Sequence, residues 1–177
     1  MAKIVITGGL GYIGTALSKL YSNDVKNDIT VIDNSFYSQR VYNLTKNGIK
    51  FKNVNILEVS QLKHIIYDAD IIYHLAGITD VPQIEEDSSS EKNKRIHEVG
   101  VIGTKNIMEL TNKNSKIIFP STHVVFEGLE NVKEDLNEQD DVSSKLMYSN
   151  VKVENENDLI NSNLNYTILR LGSVHGL

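Results

Sequence analysis

The sequence contains no cysteine among its 177 residues, and this absence excludes both disulfide bonds and thiolate metal sites. Its five histidines are scattered rather than paired at ligand spacing, so metal chemistry is not indicated. Basic residues are also in deficit, because the formal net charge is -5 and offers no positive surface to a nucleic-acid backbone. We therefore expect neither a metal site nor a nucleic-acid partner.

Long apolar runs are missing as well. No run approaches the roughly 20 residues that a membrane-spanning helix needs. The amino terminus passes from Met1 almost directly into the apolar segment from Ile4 to Ile6, without the pattern of a signal peptide. These features predict a soluble, cytoplasmic protein that does not bind a membrane.

What the sequence does contain is an alternation of short apolar, β-branched runs with longer amphipathic stretches. This alternation predicts a parallel sheet with crossover helices. The clearest helix follows Ser88 and places a stripe from Ile96 to Leu110 on the sheet, and a second helix is expected from near Leu146 to Asn161–Asn163. The polar segment 127–144 is predicted to be a long solvated loop. The predicted strands are 3–7, 29–33, 49–54, 69–75, 116–120 and 166–171.

A glycine-rich segment follows the first predicted strand and opens a helix. Its glycines fit two versions of the dinucleotide pattern, one beginning at Gly8 and one at Gly9. Glycine allows the backbone to turn tightly and to approach a pyrophosphate, which the amides at the helix N-terminus then bind. A tight strand-to-helix turn would need the same glycines, so a second feature is required. The candidate cofactor-binding residues here are Gly8, Gly11, Tyr12, Ile13 and Gly14.

The second feature is Asp33, which ends the second strand about 20 residues later, where a carboxylate accepts hydrogen bonds from the adenosine ribose. An acidic residue at this place favours NAD over NADP, because a 2′-phosphate would meet like charge, although Arg40 could still reach in to offset it. Asp33 could also simply cap a turn with Asn34 and Ser35. We predict an α/β domain over residues 1–177, a Rossmann-type doubly wound parallel sheet with helices on both faces, that binds NAD.

Tyr148 and Lys152 lie four residues apart on a predicted helix and so share one face. A phenol is a poor base at neutral pH, but a neighbouring ammonium and a positive nicotinamide ring favour its ionised form. Tyr148 is therefore the candidate base for a substrate hydroxyl. Thr122, after the fifth strand, is the candidate partner of the reacting oxygen, and Ser121 competes for that role. His123 is either a general acid or a solvated, hydrogen-bonded loop residue.

Together with His74-Leu75-Ala76-Gly77 and Gly103-Thr104-Lys105-Asn106, these motifs resemble the extended short-chain dehydrogenase/reductase family. The similarity is to its NAD-dependent epimerase/dehydratase branch, which includes UDP-glucose 4-epimerase. The resemblance implies NAD, a nucleotide-sugar substrate and transient oxidation of a sugar hydroxyl, with Tyr148 as the base. It implies that Lys152 binds the nicotinamide ribose and Thr122 positions the sugar oxygen. It also places Asn55 and Ile56 beside adenine, and Leu75, Ala76 and Gly77 along the pyrophosphate and ribose.

The sequence departs from the family pattern at several positions, and these bear on which type of enzyme within the family it resembles. Gly100 replaces an asparagine that is usual there, and Asn55 replaces an aspartate. After the sixth strand, Ser173 and His175 replace asparagine and tyrosine. The resemblance further implies a homodimer that pairs the helix from Ile96 to Leu110 and the Tyr148 helix with their copies.

The sequence ends at Gly176-Leu177, directly after the sixth predicted strand. We therefore expect a truncated chain that lacks a C-terminal substrate-binding lobe and binds NAD without necessarily turning over substrate. Two alternatives stay open at this point. One is an NAD(P)H-dependent reductase of the same family, and the other is a dinucleotide-sensing protein that performs no reaction.

Overall fold

The sheet determines where a ligand can bind. The computed structural model describes residues 1–79, 90–130 and 134–175, and these form a sheet of six parallel strands in the order β3-β2-β1-β4-β5-β6. The order reverses direction between β1 and β4, which is the switch point where doubly wound folds bind ligands. The predicted fold class is confirmed, and each predicted strand lies within two residues of an observed one. The strands are β1 (Ala2–Thr7), β2 (Asn27–Asp33), β3 (Lys50–Asn53), β4 (Ile71–His74), β5 (Lys116–Thr122) and β6 (Asn165–Leu171).

Helices cover both faces of this sheet. In chain order they are α1 (Tyr12–Tyr21), α2 (Ser38–Lys46), α3 (Val59–Tyr67), α4 (Ser90–His97), α5 (Gly103–Leu110) and α6 (Met147–Ile160). A π-helical segment, Glu98–Ile102, joins α4 to α5, and a 3₁₀ turn, His123–Phe126, follows β5. The helix predicted to end at Asn161–Asn163 is α6, which ends at Ile160, whereas Ser88, before α4, lies outside the described residues. Within the described part of the chain, no helix has the length and apolar character needed to span a bilayer.

The core has two halves, one on each face of the sheet. Val5 of β1 packs with the half that includes residues of α3, α5 and α6, whereas its neighbours Ile4 and Ile6 pack with the half that includes Leu44 of α2. Successive strand residues point to opposite faces, so this alternation shows that both faces of β1 are buried. The glycine turn that follows β1 is therefore anchored on a rigid central strand.

The long helix between β4 and β5 does not present a single stripe to the sheet. Ile107 packs in the sheet-facing core, but Ile96 packs with Val101 and with Val151 of α6. The prediction that the whole stripe lies on the sheet is therefore wrong at its N-terminal end. The π-helical segment accommodates one extra residue in its turn, which rotates the preceding turns by about 100° relative to a continuous α-helix.

The predicted solvated loop is exposed over residues 134–139 and has no helix or strand in its described parts, although 131–133 lie outside them. Its first residue nevertheless has a structural role. The carboxylate of Glu127 accepts hydrogen bonds from the amide of Leu146 at 3.0 Å and from the hydroxyl of Ser149 at 2.6 Å. A carboxylate at a helix N-terminus interacts favourably with the helix dipole. Glu127 thus fixes the start of α6 and with it the position of Tyr148.

Candidate active-site cleft

A cleft of about 630 Å³ runs along the carboxyl ends of β1, β2, β4 and β5. The structure brings to its wall every residue that the sequence nominates for cofactor binding, together with the candidate catalytic residues Thr122, Tyr148 and Lys152. These residues are Gly8, Gly11, Tyr12, Ile13, Gly14, Asp33, Asn34, Asn55, Ile56, Leu75, Ala76, Gly77, Thr122, Tyr148 and Lys152. The glycine turn therefore lies at one end of the cleft, and Tyr148 and Lys152 of α6 lie at the other.

The glycine turn is tightly enclosed. Gly8 has φ +64°, and a β-carbon on it would lie 2.7 Å from the amide nitrogen of Ala76. A β-carbon on Gly14 would lie 2.5 Å from the α-carbon of Gly9, so the turn and the start of α1 also touch. Gly11 precedes the first turn of α1, which carries no acidic residue, and it offers no capping side chain. The amides at this helix end therefore suit an anionic group such as a pyrophosphate.

Asp33 performs the turn-capping role and remains suited to ribose binding. Its Oδ2 accepts a hydrogen bond from the amide of Leu10 at 3.0 Å, and its Oδ1 accepts one from the amide of Ser35 at 2.9 Å. Each carboxylate oxygen has a second lone pair, so ribose hydroxyls can still donate to it. Arg40 donates to the carbonyl of Leu10 and stacks 5.0 Å from the ring centroid of Tyr37, away from the cleft wall.

The side wall after β3 is held by the Gly-Thr-Lys-Asn motif. The side-chain amide of Asn106 donates to the carbonyl of Ile56 at 3.0 Å, and a β-carbon on Gly103 would lie 2.4 Å from the Ile56 side chain. Asn55 accepts a hydrogen bond from the amide of Leu57 at 3.1 Å through its side-chain oxygen. The asparagine that stands in place of the usual aspartate therefore keeps a turn-forming acceptor beside the cleft.

His74 lies buried under the centre of the cleft, and its contacts specify its tautomer. Thr104 donates its hydroxyl proton to the carbonyl of Gly100, so it accepts from His74 Nε2 at 2.9 Å. The Nδ1 atom then accepts from the hydroxyl of Thr7 at 2.8 Å, and the Thr7 oxygen accepts from the amide of Ala76 at 3.2 Å. Burial and, to a smaller extent, the charge of Lys152 lower the pKa of His74 to about 3. The imidazole is therefore neutral and links the glycine turn to the π-helical segment.

At the other end of the cleft, Thr122 and Tyr148 both line the wall, and hydrogen bonding by the Thr122 side chain acts to lower the pKa of the Tyr148 phenol. Ser121 is the other candidate for the role of Thr122. Its hydroxyl donates instead to the buried carboxylate of Glu156. His123 is exposed, lies outside the cleft wall and hydrogen-bonds to the carbonyl of Leu171 at 3.2 Å. Its geometry fits the hydrogen-bonded loop residue rather than the general acid.

Lys152 is held between aromatic and carbonyl groups. Its Nζ donates to the carbonyl of Pro120 at 2.8 Å and lies 4.5 Å from the ring centroid of Phe119 and 5.9 Å from that of Tyr148. Burial lowers the pKa of Lys152 to about 8, and the charge of Glu156 opposes this shift.

The pKa of the Tyr148 phenol is shifted in the direction opposite to the one expected of a base. Burial raises the pKa of its phenol, and the hydrogen bond with Thr122 opposes that shift only in part. The expectation that Lys152 and a nicotinamide ring together favour the ionised phenol stays a prediction, because burial raises the pKa in the chain by itself. Burial disfavours the phenolate, and the ammonium of Lys152 is directed at the carbonyl of Pro120. A further positive charge in the cleft is needed to favour the ionised form.

The departure at Gly100 has a steric explanation. A β-carbon there would lie 2.4 Å from a methyl group of Val151 on α6, so a side chain at this position would push the two helices apart. The carbonyl of Gly100 accepts hydrogen bonds from Thr104 and from the side-chain amide of Asn155. The usual asparagine does not fit this close approach of the π-helical segment and α6.

Other wall residues were missed by sequence reasoning. Several directly follow predicted strands, so the rule that ligands bind at the carboxyl ends of parallel strands could have found them. Arg95, on α4, gave no such signal. None of the described residues forms a group of three or more metal-ligating side chains. The missed residues are Ile32, Ser35, Val54, Ile78, Thr79, Arg95, Val99, Pro120, Leu171, Gly172 and Val174.

Comparison with known proteins agrees with this geometry. The family described as the RmlD substrate binding domain matches residues 2–177. A dTDP-D-glucose 4,6-dehydratase of Dictyostelium discoideum is 32% identical over 98% of this chain and 39% of its own length. The UDP-N-acetylglucosamine 4-epimerase of Methanobrevibacter ruminantium M1, at 26% identity, has a TM-score of 0.80 over 96% of this chain and 54% of its own.

A UDP-glucuronic acid 4-epimerase of Bacillus cereus, solved in complex with NAD, has the same fold with a TM-score of 0.79, at 22% identity over 98% of this chain and 57% of its own. The chain thus spans 39% to 57% of the length of these proteins. The family match and the Dictyostelium discoideum relative confirm the resemblance to epimerases and dehydratases. With its match over residues 2–177, the chain belongs to the RmlD substrate-binding domain family.

Proposed function

We propose that this chain is the NAD-binding part of a nucleotide-sugar epimerase or dehydratase. The observation that carries the proposal is a single cleft joining the glycine turn and Asp33 to the pair of Thr122 and Tyr148 and to Lys152. A protein that only senses a dinucleotide needs the first set of residues but not the second. Relatives whose names specify a dehydratase or epimerase support the same reading.

The charged and polar groups of the cleft indicate how it would bind the cofactor. The N-terminus of α1 would bind the pyrophosphate, and Asp33 would accept from the ribose hydroxyls of adenosine. Asp33 disfavours a 2′-phosphate, and Arg40 is directed at the carbonyl of Leu10 rather than into the cleft. These contacts favour NAD over NADP and therefore favour an enzyme that recycles its cofactor over a reductase that uses NADPH.

The catalytic part rests on a hydroxyl pair. When bound, NAD supplies a two-electron acceptor and a positive ring at this end of the cleft. Thr122 would orient the sugar hydroxyl, and Tyr148 would remove its proton. Lys152 would bind the nicotinamide ribose while its charge stabilises the phenolate. Because burial raises the pKa of Tyr148, proton removal is expected to be efficient only when the cofactor is in place.

We test the cofactor assignment by calorimetry with NAD and NADP, using Asp33→Asn and, as a matched control, Asp28→Asn. Asp28 lies on the same strand but pairs with Lys50 outside the cleft. Loss of charge-assisted hydrogen bonds at Asp33 should weaken NAD binding by about 10- to 100-fold and narrow the preference over NADP. The proposal fails if the chain binds NADP as tightly as NAD, or if both variants bind NAD like the original chain.

Catalysis is tested with the NAD-loaded protein and UDP-glucose or dTDP-glucose, following the near-ultraviolet absorbance of reduced nicotinamide. Tyr148→Phe should slow reduction by at least about 100-fold, since general base catalysis contributes on this order. Tyr67→Phe, at an exposed tyrosine on α3, is the control and should leave the rate unchanged. A Tyr148→Phe variant that reduces the cofactor at the original rate would contradict the role of Tyr148 as the base.

We also propose that the chain forms a homodimer through α5 and α6. Ile102, before α5, and Ile160, at the end of α6, are 47% and 53% exposed. Burial of such side chains against a second copy would favour association. Analytical ultracentrifugation should give twice the mass of 19.9 kDa, and Ile102→Glu should return it to the monomer. A monomeric original chain contradicts this proposal.

A further inference from the structure

One buried carboxylate ties together the three elements that form the catalytic end of the cleft. Glu156, one helical turn beyond Lys152 on α6, is only 3% exposed. Arg170 of β6 donates to it through Nη2 at 2.7 Å and Nε at 3.1 Å, and Ser121 of β5 donates its hydroxyl to the same group. Ser121 and Arg170 are also direct partners in the sheet register. We call Glu156, Ser121 and Arg170 the Glu156 junction.

The junction continues into the catalytic residues through consecutive residues of β5. Lys152 binds the carbonyl of Pro120 at 2.8 Å, and Glu156 binds the hydroxyl of Ser121, so α6 holds two successive residues of the strand. The next residue is Thr122, which lines the cleft with Tyr148 and acts on the pKa of its phenol. The position of the Thr122 hydroxyl against the phenol therefore depends on how firmly α6 holds the end of β5.

The junction also carries charge into a region of low polarity. The Lys152 ammonium lies over the ring of Phe119 and donates to a neutral carbonyl, and its burial in these surroundings favours loss of its proton. Among described residues, the titratable groups that face it are Tyr148 and Glu156 from α6 and His74 from β4, with Arg170 of β6 behind Glu156. His74 is neutral, and Glu156 is the negative charge that the lysine experiences.

We propose that Glu156 is a positioning residue of this site, which holds the end of β5 through Ser121 and supplies the negative charge that keeps Lys152 an ammonium ion. Its carboxylate touches neither substrate nor cofactor and acts through Lys152 and Thr122. Arg170 stabilises the carboxylate in its buried position, because an isolated buried charge would be costly. The consequence for NAD binding rests on the proposed function, but the titration of Lys152 does not.

The charge is tested with Glu156→Gln, which keeps the shape of the side chain but leaves Arg170 uncompensated. The readout is the pH dependence of acetylation of Lys152 by acetic anhydride, followed by mass spectrometry with the exposed Lys63 as internal standard. The midpoint for Lys152 in the original chain is expected near 8. The variant should shift it downward by about one pH unit, so that acetylation near neutral pH is roughly tenfold faster.

The double variant Glu156→Gln/Arg170→Gln separates charge from packing. It removes the uncompensated guanidinium but still leaves Lys152 without the carboxylate, so the Lys152 midpoint should lie between that of the single variant and that of the original chain. A merely structural role predicts that the double variant differs from the original chain at least as much as the single variant does. That outcome, or an unchanged midpoint in a folded Glu156→Gln protein, overturns the proposal.

Arg170→Gln provides a test with the opposite sign if Glu156→Gln does not fold. Removing the guanidinium exposes Lys152 to the full charge of Glu156 and should raise the midpoint, whereas an unchanged or lowered midpoint overturns the proposal. Circular dichroism checks the fold of each variant. NAD calorimetry on the original chain is run alongside, so that failure to bind NAD contradicts the proposed function without affecting the Lys152 titration.

Discussion

Acid should destabilise this protein through His74 more than through its other histidines. The imidazole is buried, its Nε2 donates to Thr104, and its Nδ1 accepts from Thr7. The folded protein therefore holds it in the neutral form, with its pKa lowered from 6.5 to about 3, chiefly by burial. In the unfolded chain the imidazole takes up a proton below about 6.5. The stability that depends on the neutral form is complete above that pH and declines as the pH falls towards 3.

The magnitude follows from proton linkage. Between pH 7 and pH 5 the unfolded imidazole goes from about one quarter to almost fully protonated, whereas the folded imidazole stays neutral. This difference lowers the free energy of unfolding by about 2 kcal/mol. In a domain of this size it corresponds to a decrease in melting temperature of roughly 4–8 °C. Acidic residues add their own pH dependence, so the contribution of His74 must be measured as a difference between proteins.

The assay is urea unfolding at both pH values for the original chain and for His74→Gln. The glutamine keeps an amide donor but cannot be protonated, so this variant should lose about 2 kcal/mol less stability between pH 7 and pH 5, although it is less stable at pH 7. His64→Gln, at an exposed position on α3, is the control and should follow the original chain. Equal losses for the original chain and His74→Gln, within about 0.5 kcal/mol, would refute the assignment of a neutral buried imidazole.

Three further predictions concern the turn, α6 and the hydroxyl pair. Gly8→Ala should destabilise the fold by about 2–3 kcal/mol and prevent NAD binding, whereas Gly48→Ala, also at positive φ but with open space around it, should cost about 1 kcal/mol in thermal unfolding. Glu127→Gln should lower stability by about 1 kcal/mol through loss of the charged cap on α6, and Glu130→Gln, at an exposed position, should not. Thr122→Val should raise the pKa of Tyr148 further in a spectrophotometric titration, because it removes the hydrogen bond that opposes the effect of burial. No difference within a pair, or an unchanged tyrosine titration, would contradict the corresponding contact.

Much of the cofactor site could be predicted because its signals are local. The glycines from Gly8 to Gly14 and the carboxylate of Asp33 each follow a strand, and parallel strands bring their carboxyl ends to one edge. The signal of Tyr148 and Lys152 is also local, because residues four apart lie about one helical turn from each other. Predictions that depended on the faces of longer helices were less successful. Ile96 packs on α6 because of a π-helical segment that the apolar periodicity did not reveal.

The sequence by itself determined the order of strands and helices, the glycine turn and the identity of the candidate cofactor and base residues, because each depends on residues close together in the chain. Only the tertiary structure decided the electrostatics. Burial raises the pKa of Tyr148 and makes His74 neutral, and burial is a property of packing between distant segments. The Glu156 junction likewise joins residues from three elements, and a carboxylate with no local motif shows its partners only after β5, β6 and α6 have packed.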